Sequence, residues 1–545
     1  MSTDQPTLDE SRNRRAHTAA FAAVADAEPT PAGIVTYRSR GKVLVIGGEA
    51  AQWLAARIEP PLHAEVLLID GEAEPGVPLT PLAQRQLQLT GHLGAFTAEL
   101  GDRGHYNHQR LDADIVVDLS DTPLIGADLP PPGYWHFTSE PADLDAALLA
   151  IDGMVGTFEK PRYFAYDADI CAHSRAGRSG CRRCIDACPA EAIVSIGERI
   201  EVNPNLCQGG GTCATVCPSG AIRYAYPGPG ETADRLRRLL LAYRDAGGNR
   251  PVIVFTAAED AEGLPPLPPN LLPLAVEELA SVGHELWLTA LAWGAQQVVL
   301  VDGPGMPPRS RNALGEQLGV VHALLSGMGY PPEAICLLPP AQVAAATAES
   351  RLPAAASFAA TSDKRQLAGL ALDHLWAGTS THPEVVALPA GAPYGRIRVD
   401  PERCTLCMGC TSVCPAKALS AGDEVPRLDF YEGNCVQCGL CAAACPERAI
   451  ELDPRYLCEP LTRRRPQRLY EDQPFCCVQC GKPFATQRVI DNILGKLVGH
   501  AMFQSERARR RLQMCEDCRV VDAVQDAEAM QSGLPKGNNN YSNNG

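Results

Sequence analysis

The second half of the chain carries one cysteine run twice, and no other feature limits its fold as strongly. Cys404, Cys407, Cys410 and Cys414 precede Pro415; Cys435, Cys438, Cys441 and Cys445 precede Pro446. Both runs read C-x2-C-x2-C-x3-C-P. Three thiolates two residues apart can wrap one face of an iron-sulfur cube only if the backbone curls tightly, and small residues such as Gly409 and Gly439 permit that curl. The last corner must come from a remote cysteine, while the following proline turns the chain away. The competing reading is eight buried or disulfide-bonded cysteines, and it leaves the repeated spacing without a cause.

This is the spacing of bacterial two-cluster ferredoxins, in which the fourth cysteine of each run ligates the other cluster. One cubane therefore takes Cys404, Cys407, Cys410 and Cys445, and its neighbour takes Cys435, Cys438, Cys441 and Cys414. The unit recurs earlier. After each fourth cysteine the chain reads CPAEAI from Cys188, CPSGAI from Cys217, CPAKAL from Cys414 and CPERAI from Cys445, which makes four half-modules. The first holds Cys171, Cys181, Cys184 and Cys188, its leading gap lengthened by a basic loop around Ser174 to Gly180. Cys217 closes its cluster from across the module. The second holds Cys207, Cys213 and Cys217, but Gly210 stands where Cys407 and Cys438 stand in the other module. Glycine has no ligating atom, so this site keeps Cys207, Cys213 and the remote Cys188. Three outcomes stay open: a 3Fe-4S centre, a 4Fe-4S cluster whose fourth iron is held by water or an exogenous ligand, or an empty site.

Of the 22 cysteines, four more form two CxxC pairs, Cys477 with Cys480 and Cys515 with Cys518, a ligand set for one tetrahedral zinc in a ribbon-like module. An amphipathic helix with Val489, Ile490, Ile493, Leu494, Leu497 and Val498 at helical spacing fills the long gap between the pairs. Another iron site, a thiol redox pair or unligated cysteines are the alternatives. Cys336, Cys458 and Cys476 remain as ordinary thiols, Cys476 being a possible substitute for Cys477.

A length of 545 residues implies three or four domains. With 45% apolar and 21% charged residues it should fold for most of its length. The balance of 48 basic against 64 acidic residues, a net charge of −16, repels phosphate backbones and argues against a nucleic-acid partner. The most apolar window, Leu286 to Val301, is broken by Thr289, Gln296 and Gln297, so no membrane span is expected. Arg12, Arg14 and Arg15 precede an Ala-rich stretch, but only Phe21 and Val24 strengthen it, so residues 1–36 read as a flexible tail and the protein as cytoplasmic.

The rest is α/β material. Residues 37–150 open with strand Lys42 to Gly48, a helix through Trp53 and Ile58, then strands Glu65 to Asp70 and Asp114 to Leu119, a Rossmann-like alternation. Gly47-Gly48-Glu49-Ala50-Ala51 is not the dinucleotide fingerprint, and Glu49 would repel a pyrophosphate, so docking or scaffolding is the expected role. The first ferredoxin module spans 155–230. A second Rossmann-like segment, 233–338, has a helix Leu236 to Tyr243, strand 252–255, a Pro-rich loop 264–273, a helix near Glu285 to Ala295, strand Gln297 to Val301 and a helix ending near Met328. Residues 339–384 read as linker and helix, 385–456 as the second ferredoxin module, 457–530 as the zinc-ribbon-like module and 531–545 as a disordered tail. Trp287, Trp293 and His284 read as core or interface. His173 either donates to a cluster sulfur or sits exposed.

The two modules, the phrase FEKPRYFAYDADICAHS at 158–174, the stretch LAVEELASVGHELWLTALAWGAQQVVLV, and the tail segments CGKPFATQR and MCEDCRVVD together resemble a family of proteobacterial 4Fe-4S ferredoxin-type proteins. Members are typically encoded beside formate dehydrogenase, so the resemblance implies formate dehydrogenase as redox partner. Residues 250–335 are also similar to the iron-sulfur delta subunit of methyl-viologen-reducing hydrogenase, without that subunit's cysteines except Cys336. The family usually has cysteine where Gly210 stands. The resulting expectation is an electron-transfer protein with no catalytic residue, holding three complete 4Fe-4S clusters, a fourth three-cysteine centre and one Zn. An iron-sulfur or formate dehydrogenase maturation factor is the alternative. An enzyme with a substrate site in an α/β domain lacks a nucleophile or cofactor motif.

Overall fold

A computed structural model describes residues 8–526 except 27–28, 74–75, 84, 103–107, 347–351, 423–424, 498 and 501–502. The chain divides into two compact units, Met1–Pro393 with Pro454–Pro460 and Tyr394–Asp453 with Leu461–Gly545.

The first unit is built on two parallel sheets. In one, five strands lie in the order Leu79–Pro81, His63–Leu68, Lys42–Gly47, Ile115–Asp118, Tyr134–His136, every pair parallel. Successive side chains of a strand alternate faces. Val43, Val45, Val66 and Val117 accordingly pack with helices Glu49–Ala55 and Pro141–Ile151. Leu44, Ile46, Leu67 and Val116 face the other way, onto the antiparallel strands Leu87–Thr90, Phe96–Leu100 and Gln109–Ala113. Those three short strands alternate weakly and lack a strong apolar run, so the sequence pattern of residues 37–150 does not announce them. The Asp70 carboxylate fills the space beside Gly48, which leaves the glycine turn acidic.

The second parallel sheet has the order Leu271–Val276, Val252–Ala257, Gln297–Val301, Ile335–Leu338. Its first strand lies within and beyond the stretch expected to be a Pro-rich loop; as an edge strand it tolerates Pro273. Helices Pro229–Asp245, His284–Ala292, Pro308–Gly327 and Lys364–Gly378 belong to this half. The apolar window thus resolves into a buried helix and a buried strand. Trp287, Trp293 and His284 are buried, as expected of core residues. Trp287 is fully enclosed, so Trp287→Ala should cost about 3–5 kcal/mol, measured as a fall in the denaturant midpoint of this unit.

Two expectations need correction here. Residues 1–36 are not simply a tail: Leu8–Ala22 is a helix with Ala16 and Ala20 buried, held where Asn13 Oδ1 accepts from Asn249 N at 2.8 Å and Arg238 donates to Ala23 O at 3.3 Å. Alanines that leave a helix surface flat allow this close approach. Within residues 339–384, expected to be linker and helix, the part before the helix is also packed, with Trp293 Nε1 donating to Phe358 O at 3.2 Å and Ala356 N to Ala292 O at 2.7 Å.

Between these sheets sits the first cysteine module. Strand Phe164–Tyr166 pairs antiparallel with Ile222–Tyr224, and Ile193–Ile196 with Arg199–Val202. Strand Gly156–Pro161 pairs with Ile34–Ser39 of the N-terminal domain. The basic insertion is a small hairpin, Ser174–Arg175 against Arg178–Ser179.

The second unit carries strands Leu419–Ala421, Arg427–Phe430 and Gln467–Glu471 in one antiparallel sheet, with Leu428 and Phe430 buried. Helix Gln487–Leu497 docks beside the module: Asn492 Nδ2 and Lys496 Nζ both reach Glu447 Oε1, at 3.1 and 2.9 Å. Of its expected stripe, Ile490 is buried and Val498 lies outside the described residues, as do residues 531–545. Among the described residues no helix is long and apolar enough to cross a membrane.

Candidate metal centres

Three of the four cysteine loops share one backbone wrap. Positive φ occurs at Leu406 and Met408 in the first run of the second module, at Gln437 and Gly439 in the next, and at Gly209 and Gly211 in the loop that lacks a cysteine at 210. It recurs three residues after each fourth cysteine, at Glu191, Gly220, Lys417 and Arg448. Alternating left-handed residues turn successive N–H groups inward to form an anion-binding concavity of the kind that surrounds iron-sulfur clusters. The curl at Cys404 to Cys410 therefore comes from Leu406 and Met408, which corrects the expectation placed on Gly409. Non-glycine residues hold this conformation against its steric cost.

Buried thiols crowd together within each module. Burial pushes the Cys184 thiol far up, and Cys217, Cys181 and Cys171 push it further. Burial takes Cys410 up to about 12, reinforced by Cys404, Cys407 and Cys445. Cys441 is raised by burial and then by Cys435, Cys438, Cys414 and Cys410. Cys213 is raised by burial and then by Cys207, Cys188, Cys184 and Cys217. Crowded buried thiolates repel one another and need metal to ionise together. Donors aim at them: Ala418 N at Cys414 Sγ and Ala449 N at Cys445 Sγ, both 3.3 Å, and Gln437 Nε2 at Cys435 Sγ, 3.3 Å. Ile193, Ile222, Leu419 and Ile450 form apolar walls. These residues fit iron-sulfur groups, and among the described residues none of the 22 cysteines forms a disulfide.

The half-module at Gly210 keeps its wrap but not its open corner. A Cβ on Gly210 would lie 3.1 Å from Pro189 Cγ and 3.4 Å from Leu129 Cδ1. Leu129 arrives on a loop of the N-terminal domain. That loop is pinned by buried Asp118, which accepts from Tyr134 Oη at 2.6 Å and Leu124 N at 2.9 Å, and by Leu129 N donating to Pro189 O at 2.9 Å. Lys160 Nζ donates to Cys207 O at 2.6 Å, Arg309 to Cys188 O at 3.0 Å, and Lys364 Nζ to Ala214 O and Thr215 O at 2.8 and 2.6 Å. Burial brings Lys160 down to about 8, opposed by Cys207, so its ammonium dominates at neutral pH. Leu129 and these three cations carry no sequence signal that points to a metal centre. His173 is neither exposed nor on a sulfur: it is buried between Cys181 O at 3.0 Å and Ser195 Oγ at 2.7 Å, where it braces the insertion.

At the C-terminal end of the second unit, Cys477, Cys480, Cys515 and Cys518 bring all four sulfurs within 4.8 Å of one another. A tetrahedron of sulfurs about 2.3 Å from a metal has edges of about 3.8 Å. Cys480 Sγ and Cys515 Sγ stand 3.7 Å apart. Hairpin Pro474–Cys476 and Pro483–Thr486 presents the first pair, and Cys515 opens helix Glu516–Val524. Burial pushes the Cys477 thiol up, but N–H groups of Cys515, Cys480 and Gln479 outweigh it and bring the thiol to about 6. Cys476 is exposed and outside the group, so it does not replace Cys477. Cys458 is fully buried, and burial raises Cys336 to about 11; neither joins a metal-ligand group among the described residues.

Residues 177–221 and 403–450 each match a 4Fe-4S dicluster domain family. No curated protein matches the chain. The chain thus carries two 4Fe-4S dicluster domains, which support an iron-sulfur electron-transfer role.

Proposed function

We propose that this protein is a soluble, cytoplasmic electron carrier that serves a formate dehydrogenase through several clusters and is not itself an enzyme. The observation that carries the reading is the positive-φ wrap recurring around three cysteine loops beside crowded buried thiols. Bound 4Fe-4S groups supply one-electron chemistry that needs no acid, base or nucleophile. Cys171, Cys181, Cys184 and Cys217 would hold one group; Cys404, Cys407, Cys410 and Cys445 a second; Cys435, Cys438, Cys441 and Cys414 a third. Cys207, Cys213 and Cys188 would hold the three-cysteine centre. Backbone N–H groups soften the charge on the sulfurs, and the apolar walls exclude water, two of the levers on potential. Cys477, Cys480, Cys515 and Cys518 would hold structural zinc. The formate dehydrogenase partnership rests on the family resemblance of the quoted segments.

A maturation role would draw its support from an open corner at Gly210. Leu129 and Pro189 crowd that side of the glycine, which favours the carrier reading. With formate and catalytic formate dehydrogenase, the purified protein should be reduced and, with an acceptor added, reoxidised over many cycles, followed by bleaching of its visible absorbance. Stable binding to the dehydrogenase without turnover would reject the carrier reading.

A further inference from the structure

The three cations around the Gly210 half-module are not equivalent. Arg309 is paired with Glu191 at 2.6 Å, and Lys364 faces Glu285 at 3.7 Å, so carboxylates offset much of their fields. Among the described residues no carboxylate lies within ion-pair distance of Lys160 Nζ. Its surroundings are Cys207 O at 2.6 Å, Asn205 O at 3.3 Å and the face of Tyr37, 4.9 Å from the ring centroid. The N-terminal domain holds it there. Lys160 pairs with Val35 across the strand ladder, and Tyr37 Oη donates to Asn205 O at 2.6 Å. Leu129 of the same domain packs against this cysteine cluster from outside. An uncancelled charge at a partly buried position acts through a lower effective dielectric than one in water.

Building on the electron-transfer reading, we propose that Lys160 is the built-in countercharge of the three-cysteine centre, raising its affinity for an electron. One electron enters from the redox partner and adds one negative charge; no bond forms or breaks, no proton moves, and Lys160 keeps its charge throughout. The N-terminal α/β domain then has a defined role, which is to position a cation at Cys207 and keep that corner dry.

The test is an anaerobic redox titration of the full chain, read by electron paramagnetic resonance, with iron counted in each preparation. Lys160→Met should weaken one-electron reduction of this centre roughly tenfold, equivalent to about 59 mV, and leave the other signals in place. Lys160→Arg should restore the wild-type midpoint. Lys160→Gln keeps an N–H donor without charge and should behave like Lys160→Met; it also serves as the deciding variant if Lys160→Met loses iron. An unchanged midpoint in iron-replete Lys160→Gln overturns the proposal while the electron-transfer reading stands. A wild-type protein with no signal from this half-module overturns it together with the assignment of that centre.

Discussion

Anaerobically purified protein is expected to hold about 15 or 16 iron atoms per chain and, after exposure to air, to show a 3Fe-4S paramagnetic signal. The expectation follows from a loop that still curls as a cluster loop, with positive φ at Gly209 and Gly211, although its second ligand is missing. Gly210→Cys looks simple from sequence, because cysteine holds the matching place in the second module. The structure makes it tight, since the new Cβ meets Pro189 and Leu129. Gly210→Cys alone should therefore load poorly, whereas Gly210→Cys with Leu129→Ala should exchange the 3Fe signal for an additional 4Fe-4S signal and reach about 16 irons. Iron near 8 in reconstituted wild type would show the first module to be empty. A fourth 4Fe-4S cluster in wild type would point to an exogenous ligand and revive the maturation reading.

Cys515→Ser should release about one zinc per chain and unfold the C-terminal helices. Among the described residues the local core there consists of Cys477, Met514 and Cys515, with Phe484 and Cys518 packed against them. So small a core is a weak anchor for three short elements, and on the zinc proposal the ligand–metal bonds would supply the missing stability, typically on the order of 10 kcal/mol for structural zinc. Zinc analysis and loss of protease resistance after residue 474 are the readouts. The iron spectra should persist, because helix Gln487–Leu497 hydrogen-bonds the second module through Arg488 on Pro401 O and Lys496 on Glu447, outside the cysteine side chains. Zinc retained in the variant, or iron lost in its place, would reject the assignment.

The two 4Fe-4S dicluster domains were legible in the chain because an iron-sulfur wrap is a local object. Two residues between thiolates set the curl, and a repeat of the run reveals the partner half. The parallel strands were legible for a similar reason, since burial on both faces writes itself as a continuous apolar run such as KVLVIG or QVVLV. The short strands between Leu87 and Ala113 and the helix Leu8–Ala22 lacked such a pattern; the strands pair with one another and pack on the parallel sheet, and the helix is held by residues near Arg238 and Asn249. What tertiary structure alone decided is the environment of the incomplete centre. Lys160 acts on Cys207 from 47 residues away and Lys364 on Ala214 from 150, while Leu129 reaches Gly210 from the loop that links two strands of the first parallel sheet. Each is an ordinary lysine or leucine in its own segment, and a field or a steric contact depends on distance in space, which no local spacing encodes.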